Sequence, residues 1–262
     1  MAQTAERKRS RRTAAPLLSD EEFERLARLI KGADSVELKL TVPESDQRSA
    51  VQALDMDPLQ GRLRQVYFFD TPDLALYGQG LVARARRVQK KGDDSVVKLR
   101  PVVPTDLPDP VRKSPNLTVE VDAMPGGFVC SASMKRALAS TPVRDAAAGR
   151  LPLRKLFSKE QRAFFESNAP EGIDLDELAV LGPINVLKLR FSAKGYDRRM
   201  VAELWLYPDN TRILELSTKC RPREAFEVAA ETRAFLTERG VNLEGEQQTK
   251  TRTALEFFAQ GG

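Results

Sequence analysis

Apolar and charged positions alternate with period two in at least five short segments of this chain. The clearest are Val36-Glu37-Leu38-Lys39-Leu40, Val97-Lys98-Leu99-Arg100, Val119-Glu120-Val121-Asp122, Leu187-Lys188-Leu189-Arg190 and Leu214-Glu215-Leu216-Ser217. Successive side chains of a β-strand point to opposite faces, so Glu37 and Lys39 share one face while Val36, Leu38 and Leu40 share the other. A single strand of this kind describes any half-solvated sheet. Repetition in so many strands, with both signs of charge on the polar face, predicts something narrower. The polar faces converge inside a closed barrel, and helices cover its apolar outside.

The same reading places strands over 34–40, 64–70, 81–88, 95–103, 117–122, 157–167, 179–193, 197–207 and 211–219. Ser19 caps an amphipathic helix, Glu22 completes a capping box, and Phe23, Leu26, Leu29 and Ile30 form the apolar stripe, which ends at Lys31-Gly32. Residues 47–54 read as helical or irregular. Thr71-Pro72-Asp73-Leu74 opens a turn and a short helical piece ending near Gly78 or Gly80. The stretch 101–115, rich in Pro and Asp, is a loop, and Pro125-Gly126-Gly127 interrupts the chain. Residues 131–148 read as two short helices, the second opened by Thr141-Pro142. A long helix over 224–239 is closed by Gly240, and a last helical piece covers 249–258.

Composition narrows the function classes. With 262 residues, 30% charged and 41% hydrophobic, the chain is globular and can bury a substantial core. Its apolar runs are too short to cross a bilayer, and its first residues lack the apolar region of a secretory signal. Residues 1–18 read as a disordered basic arm around Arg7-Lys8-Arg9-Ser10-Arg11-Arg12, and 19–262 as one domain. Nothing aromatic interleaves the arm's charges, so a solvated tail is favoured over contact with nucleic acid or anionic lipid. Only Cys130 and Cys220 are present, which fits reduced thiols in a cytoplasmic protein. Histidine is absent altogether, which excludes Ser-His-Asp and Cys-His nucleophilic schemes, His-ligated zinc and imidazole bases. No Walker A loop occurs, and Gly78-Gln79-Gly80 lacks the third glycine of a dinucleotide fingerprint. A net charge of +5 suggests an anionic partner without identifying it.

The block Tyr67-Phe68-Phe69-Asp70-Thr71-Pro72-Asp73-Leu74-Ala75-Leu76, followed by Gly80-Leu81-Val82-Ala83-Arg84-Ala85-Arg86-Arg87, resembles the signature of the CYTH domain, or triphosphate tunnel metalloenzyme family. The order of motifs agrees from Val36 to about Phe258. The resemblance implies an α+β fold, a closed antiparallel eight-stranded β-barrel with a polar lumen and helices packed outside. It also implies inorganic, nucleoside or thiamine triphosphatase activity, or adenylate cyclase activity, with Mg²⁺ or Mn²⁺ as cofactor. The family's opening Glu-x-Glu-x-Lys is here Ser35, Glu37 and Lys39, and its later Glu-x-Glu is Glu215 and Ser217. One carboxylate of each pair is therefore missing. Arg84 and Arg86 match the Arg-x-Arg strand, Lys98 and Arg100 the next pair, Glu120 and Asp122 the mid-chain acidic pair, and Lys250 the C-terminal lysine.

The resemblance thus assigns metal binding to Glu37, Glu120, Asp122 and Glu215, and catalytic roles to Lys39 and Glu215. Phosphate binding falls to Lys39, Arg84, Arg86, Lys98, Arg100 and Lys250 by the same resemblance, and to Lys188, Arg190 and Lys219 by their place on the inward faces of the predicted strands. These cations outnumber the inward carboxylates, among which Glu203 is as well explained by a cross-strand ion pair. Such a lumen repels itself when empty and holds a triphosphate or polyphosphate through charge-assisted contacts. Three readings stay open: triphosphate hydrolysis, cyclic AMP formation, and binding without turnover, which the losses at Ser35 and Ser217 favour.

Overall fold

A computed structural model describes residues 20–243, 247 and 249–260, and of residues 20–23 and 260 the backbone alone. The basic arm, Ser19 and the side chains of Glu22 and Phe23 lie outside the described residues. Nine strands form the molecule's frame: β1 (Ser35–Val42), β2 (Arg62–Asp70), β3 (Leu81–Val88), β4 (Asp94–Leu99), β5 (Leu117–Met124), β6 (Gly127–Ala137), β7 (Ala179–Ser192), β8 (Arg199–Leu206) and β9 (Arg212–Cys220). They close into a barrel in the order β1-β5-β6-β4-β3-β2-β7-β8-β9. All neighbours are antiparallel except β1 and β5, where Ser35 faces Glu120 and Glu37 faces Asp122 in a parallel pairing.

Eight described helices accompany the barrel: α1 (Asp20–Gly32), α2 (Gln47–Ala53), α3 (Ala75–Gly78), α4 (Asp109–Arg112), α5 (Pro142–Ala147), α6 (Lys159–Glu166), α7 (Ala225–Glu238) and α8 (Lys250–Gln260). Most cover the outside. Leu26 and Leu29 of α1, Val143 of α5 and Phe164 and Phe165 of α6 pack with outward residues such as Val36, Val97, Val119 and Ala132. A second outer cluster joins Ala50 of α2, Leu54, and Phe235 and Leu236 of α7 to Leu40, Leu189 and Leu216. Helix α8 is the exception. Its Ala254, Leu255 and Phe258 pack against Val66, Phe68, Ile184, Val186, Trp205 and Ile213. These share strand faces with Arg64, Lys188, Glu203 and Glu215, so α8 fills one end of the lumen with apolar side chains.

The barrel has nine mixed strands rather than eight antiparallel ones, and two segments exchange their expected structure. Residues 131–137 belong to β6, where Cys130, Ala132 and Met134 are buried on the outer face and Ser133 and Lys135 face inward. Ala, Met and Lys favour helices in isolation, but tertiary pairing with both β4 and β5 overrides propensity here. Pro125-Gly126 is the two-residue turn joining β5 to β6, with Gly126 at φ 86°. Conversely, residues 159–166 form α6 rather than a strand. Ser158 caps it by accepting from the Gln161 amide while Gln161 returns a bond to the Ser158 N–H, a Ser-x-x-Gln capping box readable in the sequence. Strand β4 also stops at Leu99, ahead of Pro101, instead of running to residue 103.

Gly80 shows how tightly the signature block is built. It sits at φ +75°, its carbonyl accepts from the Arg100 N–H at 2.9 Å, and it has no room for a Cβ, which would lie 2.0 Å from the Arg100 carbonyl oxygen. Asp70, buried at 1% exposure, accepts from the Thr71, Leu76 and Tyr77 amides at 2.8–3.0 Å. That carboxylate anchors the β2–α3 turn, so its role is architectural.

Candidate active site: a charged tunnel

The lumen holds a cavity of about 1040 Å³ lined by eleven cationic side chains and five carboxylates. Alternation delivers them. Glu37, Lys39 and Thr41 come from β1, Arg84 and Arg86 from β3, Glu120 and Asp122 from β5, Glu203 and Trp205 from β8, and Glu215 and Lys219 from β9. Every expected phosphate-binding cation lines the cavity except Arg190, which shares the face of Lys188 but lies beyond the cavity and is exposed. The strand simply runs past the barrel's rim there. Arg64, Lys135 and Arg25 line the cavity too and were missed. Arg64 lies on a predicted strand but shares its face with Val66 and Phe68, so no alternation of charged and apolar residues marks it, and Lys135 was hidden in the segment read as helix.

Three carboxylates gather at the β1–β5 seam. Oxygens of Glu37, Glu120 and Asp122 lie within 4.8 Å of one another. Parallel pairing explains this, because it sets Glu37 directly beside Asp122. Each is already engaged. Asp122 Oδ1 meets the Lys39 ammonium at 2.8 Å, and its Oδ2 meets Arg100 at 3.4 Å and Lys98 at 3.7 Å. Burial alone would raise the Asp122 pKa, but Lys39 and Lys98 outweigh it and hold the group down at about 2. Glu37 likewise stays below its ordinary value: burial opposes its charge, and Lys39, Lys219 and the Ser217 hydroxyl overcome that. Lys39, buried but facing Asp122 and Glu37, is raised above the usual lysine range.

Ser35 and Ser217, the serines at the positions where the resemblance expects carboxylates, are wired into this cluster. Ser35 Oγ donates to Glu120 Oε2 at 3.1 Å, and Ser217 Oγ donates to Glu37 Oε1 at 3.0 Å. Glu215 stands apart from the three, opposite Thr41, and accepts from the Lys250 ammonium at 2.6 Å. Lys250 also binds Glu203 at 2.7 Å, and Glu203 accepts from Lys188 at 2.7 Å and from the Trp205 indole at 3.2 Å. Burial disfavours the Glu203 charge, yet Lys250 and Lys188 hold its pKa well below the ordinary value. The cross-strand pair of Lys188 and Glu203 is therefore real, and both groups also line the cavity.

On the opposite wall the cations are less satisfied. Arg86 grips Asp94 bidentately at 2.8 and 2.9 Å. The enclosed Nε atoms of Arg84 and Arg64 have no hydrogen-bond partner among the described residues. Burial, and then Arg86, disfavours the charge on both guanidiniums. A guanidinium keeps its proton at physiological pH, so the unmet demand is for an anion. Lys98 is pushed down to about 8 by burial, with Arg100, Lys39 and Arg84 opposing the help it gets from Asp122.

Among solved structures, a Hippeastrum protein, HpAC1, assigned as an adenylyl cyclase and described by a dominant triphosphatase activity, superposes with a TM-score of 0.63. The match has 17% identity over 84% of this chain and 95% of that one. A Bacillus halodurans protein assigned as an adenylate cyclase superposes at 0.58, with 13% identity over 84% and 97% of the two chains. This chain has the triphosphate-tunnel fold. No family model matches the sequence, and no curated relative does either. The shared fold is therefore carried by very different side chains, and what distinguishes this tunnel lies in its own residues. No helix among the described residues is long and apolar enough to cross a membrane.

Proposed function

We propose that this tunnel binds a triphosphate and hydrolyses it with the help of a divalent metal ion, Mg²⁺ or Mn²⁺. One observation carries the reading: among the described residues, two enclosed arginines with unpartnered Nε atoms face a cavity in which cations outnumber carboxylates by more than two to one. An unpaired buried charge is costly, and a polyanion is the ligand that relieves it. Arg84 and Arg64 grip phosphate oxygens, with Lys98, Arg100 and Lys188 as further point or fork contacts. Lys250 is anchored between Glu203 and Glu215, so Glu215 acts as its positioning residue. Lys39 holds Glu37 and Asp122 together and offers its ammonium to charge developing on the reacting phosphoryl group.

The residues present fit a hard cation, because Glu37, Glu120 and Asp122 offer only oxygen donors at mutual distances a single ion spans. When bound there with phosphate, the ion would supply Lewis-acid polarisation of a phosphoryl oxygen. Incubation with tripolyphosphate or ATP, with each metal in turn, tests the reading through release of phosphate. Cyclic AMP and pyrophosphate from ATP would instead mark a cyclase. Tight binding of either compound without turnover would mark the non-catalytic binder that Ser35 and Ser217 favour. We also place the protein in the cytoplasm, in keeping with two buried free thiols.

A further inference from the structure

Lys219 occupies an unusual place in this tunnel. It follows Glu215 and Ser217 on the inward face of β9 and pairs in register with Glu37 of β1. Its ammonium nevertheless reaches across to Glu120 Oε2, the same oxygen that accepts from Ser35. Its side chain is 54% exposed, against 1% for Asp122 and 17% for Lys39. Of the cations that touch the three-carboxylate cluster it is thus the one least held by packing. Lys39, by contrast, is buried between Glu37 and Asp122, and its departure would cost both a charged partner.

We propose that Lys219 is a resident competitor for the metal position on Glu120, and that it transfers to a phosphate oxygen when metal and triphosphate arrive together. The inference rests on the reading of Glu37, Glu120 and Asp122 as the metal site. An ammonium on Glu120 opposes a divalent ion both by occupying the oxygen and by like-charge repulsion. With two carboxylates replaced by serines, the cluster lacks the spare negative charge to hold both cations at once. A triphosphate changes the balance, because it offers Lys219 a new anionic partner within the reach of a half-exposed, flexible side chain. Metal and triphosphate then each favour the other's binding, and metal alone is held poorly. By linkage the coupling is reciprocal.

The experiment is Mn²⁺ binding, followed by electron paramagnetic resonance, with and without the imido analogue of tripolyphosphate. Three proteins are compared: the wild type, Lys219→Met and Lys135→Met. Lys135 lines the same cavity but pairs with Asp94, so it controls for general loss of a positive charge. In the wild type the analogue should tighten Mn²⁺ binding about tenfold or more. Lys219→Met should bind Mn²⁺ alone about tenfold more tightly than the wild type, with the coupling reduced to match. Lys135→Met should behave like the wild type. If Mn²⁺ binds in the presence of the analogue but Lys219→Met leaves the metal-only affinity unchanged, the role of Lys219 is overturned and the metal site stands. Equal gains in Lys219→Met and Lys135→Met overturn it as well. If the analogue binds but no variant holds Mn²⁺ under any condition, the three-carboxylate site falls, and this inference with it.

Discussion

The Ser217 hydroxyl donates to Glu37 Oε1 at 3.0 Å across the β9–β1 seam, so a small neutral side chain caps a carboxylate of the proposed metal site. Ser35 does the same for Glu120. Each serine brings no charge and places a donor on an oxygen of the proposed metal site. Ser35→Glu with Ser217→Glu should therefore tighten binding of Mg²⁺ or Mn²⁺ in the absence of substrate, as read by calorimetry. Unchanged metal affinity would show that neither position faces the ion. The cost is repulsion within the carboxylate group, partly offset by Lys39 and Lys219.

Arg84→Met tests the claim that the tunnel is built for an anion. The methionine keeps the aliphatic stem and removes a charge whose Nε has no partner among the described residues. Thermal stability should hold or rise, while tripolyphosphate affinity falls by about 1.5–3 kcal/mol, the worth of a charge-assisted hydrogen bond. Calorimetric titration beside a melting curve separates the two effects. A lower melting temperature with unchanged affinity would make Arg84 a structural residue.

Lys98 sets a pH dependence. Its folded-state pKa is about 8, below the ordinary lysine value of 10.5. Between those values the unfolded chain binds more protons than the native one, so this group makes stability increase with pH. Phosphate binding moves the opposite way, because the neutral amine offers no charge. Tripolyphosphate affinity should decline as pH rises from 7 to above 8, and Lys98→Arg should flatten the decline. An identical pH profile in the variant would remove Lys98 from the binding set.

Lys250→Met leaves Glu203 and Glu215, register partners on β8 and β9, facing each other without their shared ammonium. Breaking a buried pair in this way costs about 3–5 kcal/mol. Burial disfavours the Glu203 charge and Lys250 is the larger of the two charges that offset it, so without Lys250 the variant should recover part of the loss as pH falls toward 5. Urea titrations at two pH values check both the size and the sign.

Gly80→Ala forces a Cβ to within 2.0 Å of the Arg100 carbonyl at a backbone conformation that alanine resists. Destabilisation of about 2 kcal/mol or more should follow, visible as a lower denaturation midpoint. The substitution should also weaken triphosphate binding, because Arg100 is moved relative to Asp122.

Alternation by itself determined that strands carry charges on one face, and hence that a barrel with a charged lumen was the economical arrangement. It reached Lys39, Lys98, Glu120 and Lys188 because period two is a local property of a strand, whereas Arg84 came with the block that resembles a family signature. Local signals were also enough for the turn at Pro125-Gly126 and would have been enough for α6, whose capping box spans four residues. The parallel pairing of β1 with β5 was not available from any local pattern, since it joins segments about eighty residues apart. That pairing decides which carboxylates meet: Glu37 with Glu120 and Asp122, while Glu215 lies beside Lys250. Likewise β6 looks helical until two neighbouring strands supply its hydrogen bonds. Residue type sets which face is charged. Strand order and register set which charges touch, and those contacts separate a committed ion pair such as Lys188–Glu203 from a guanidinium such as Arg84, whose Nε lacks a partner among the described residues.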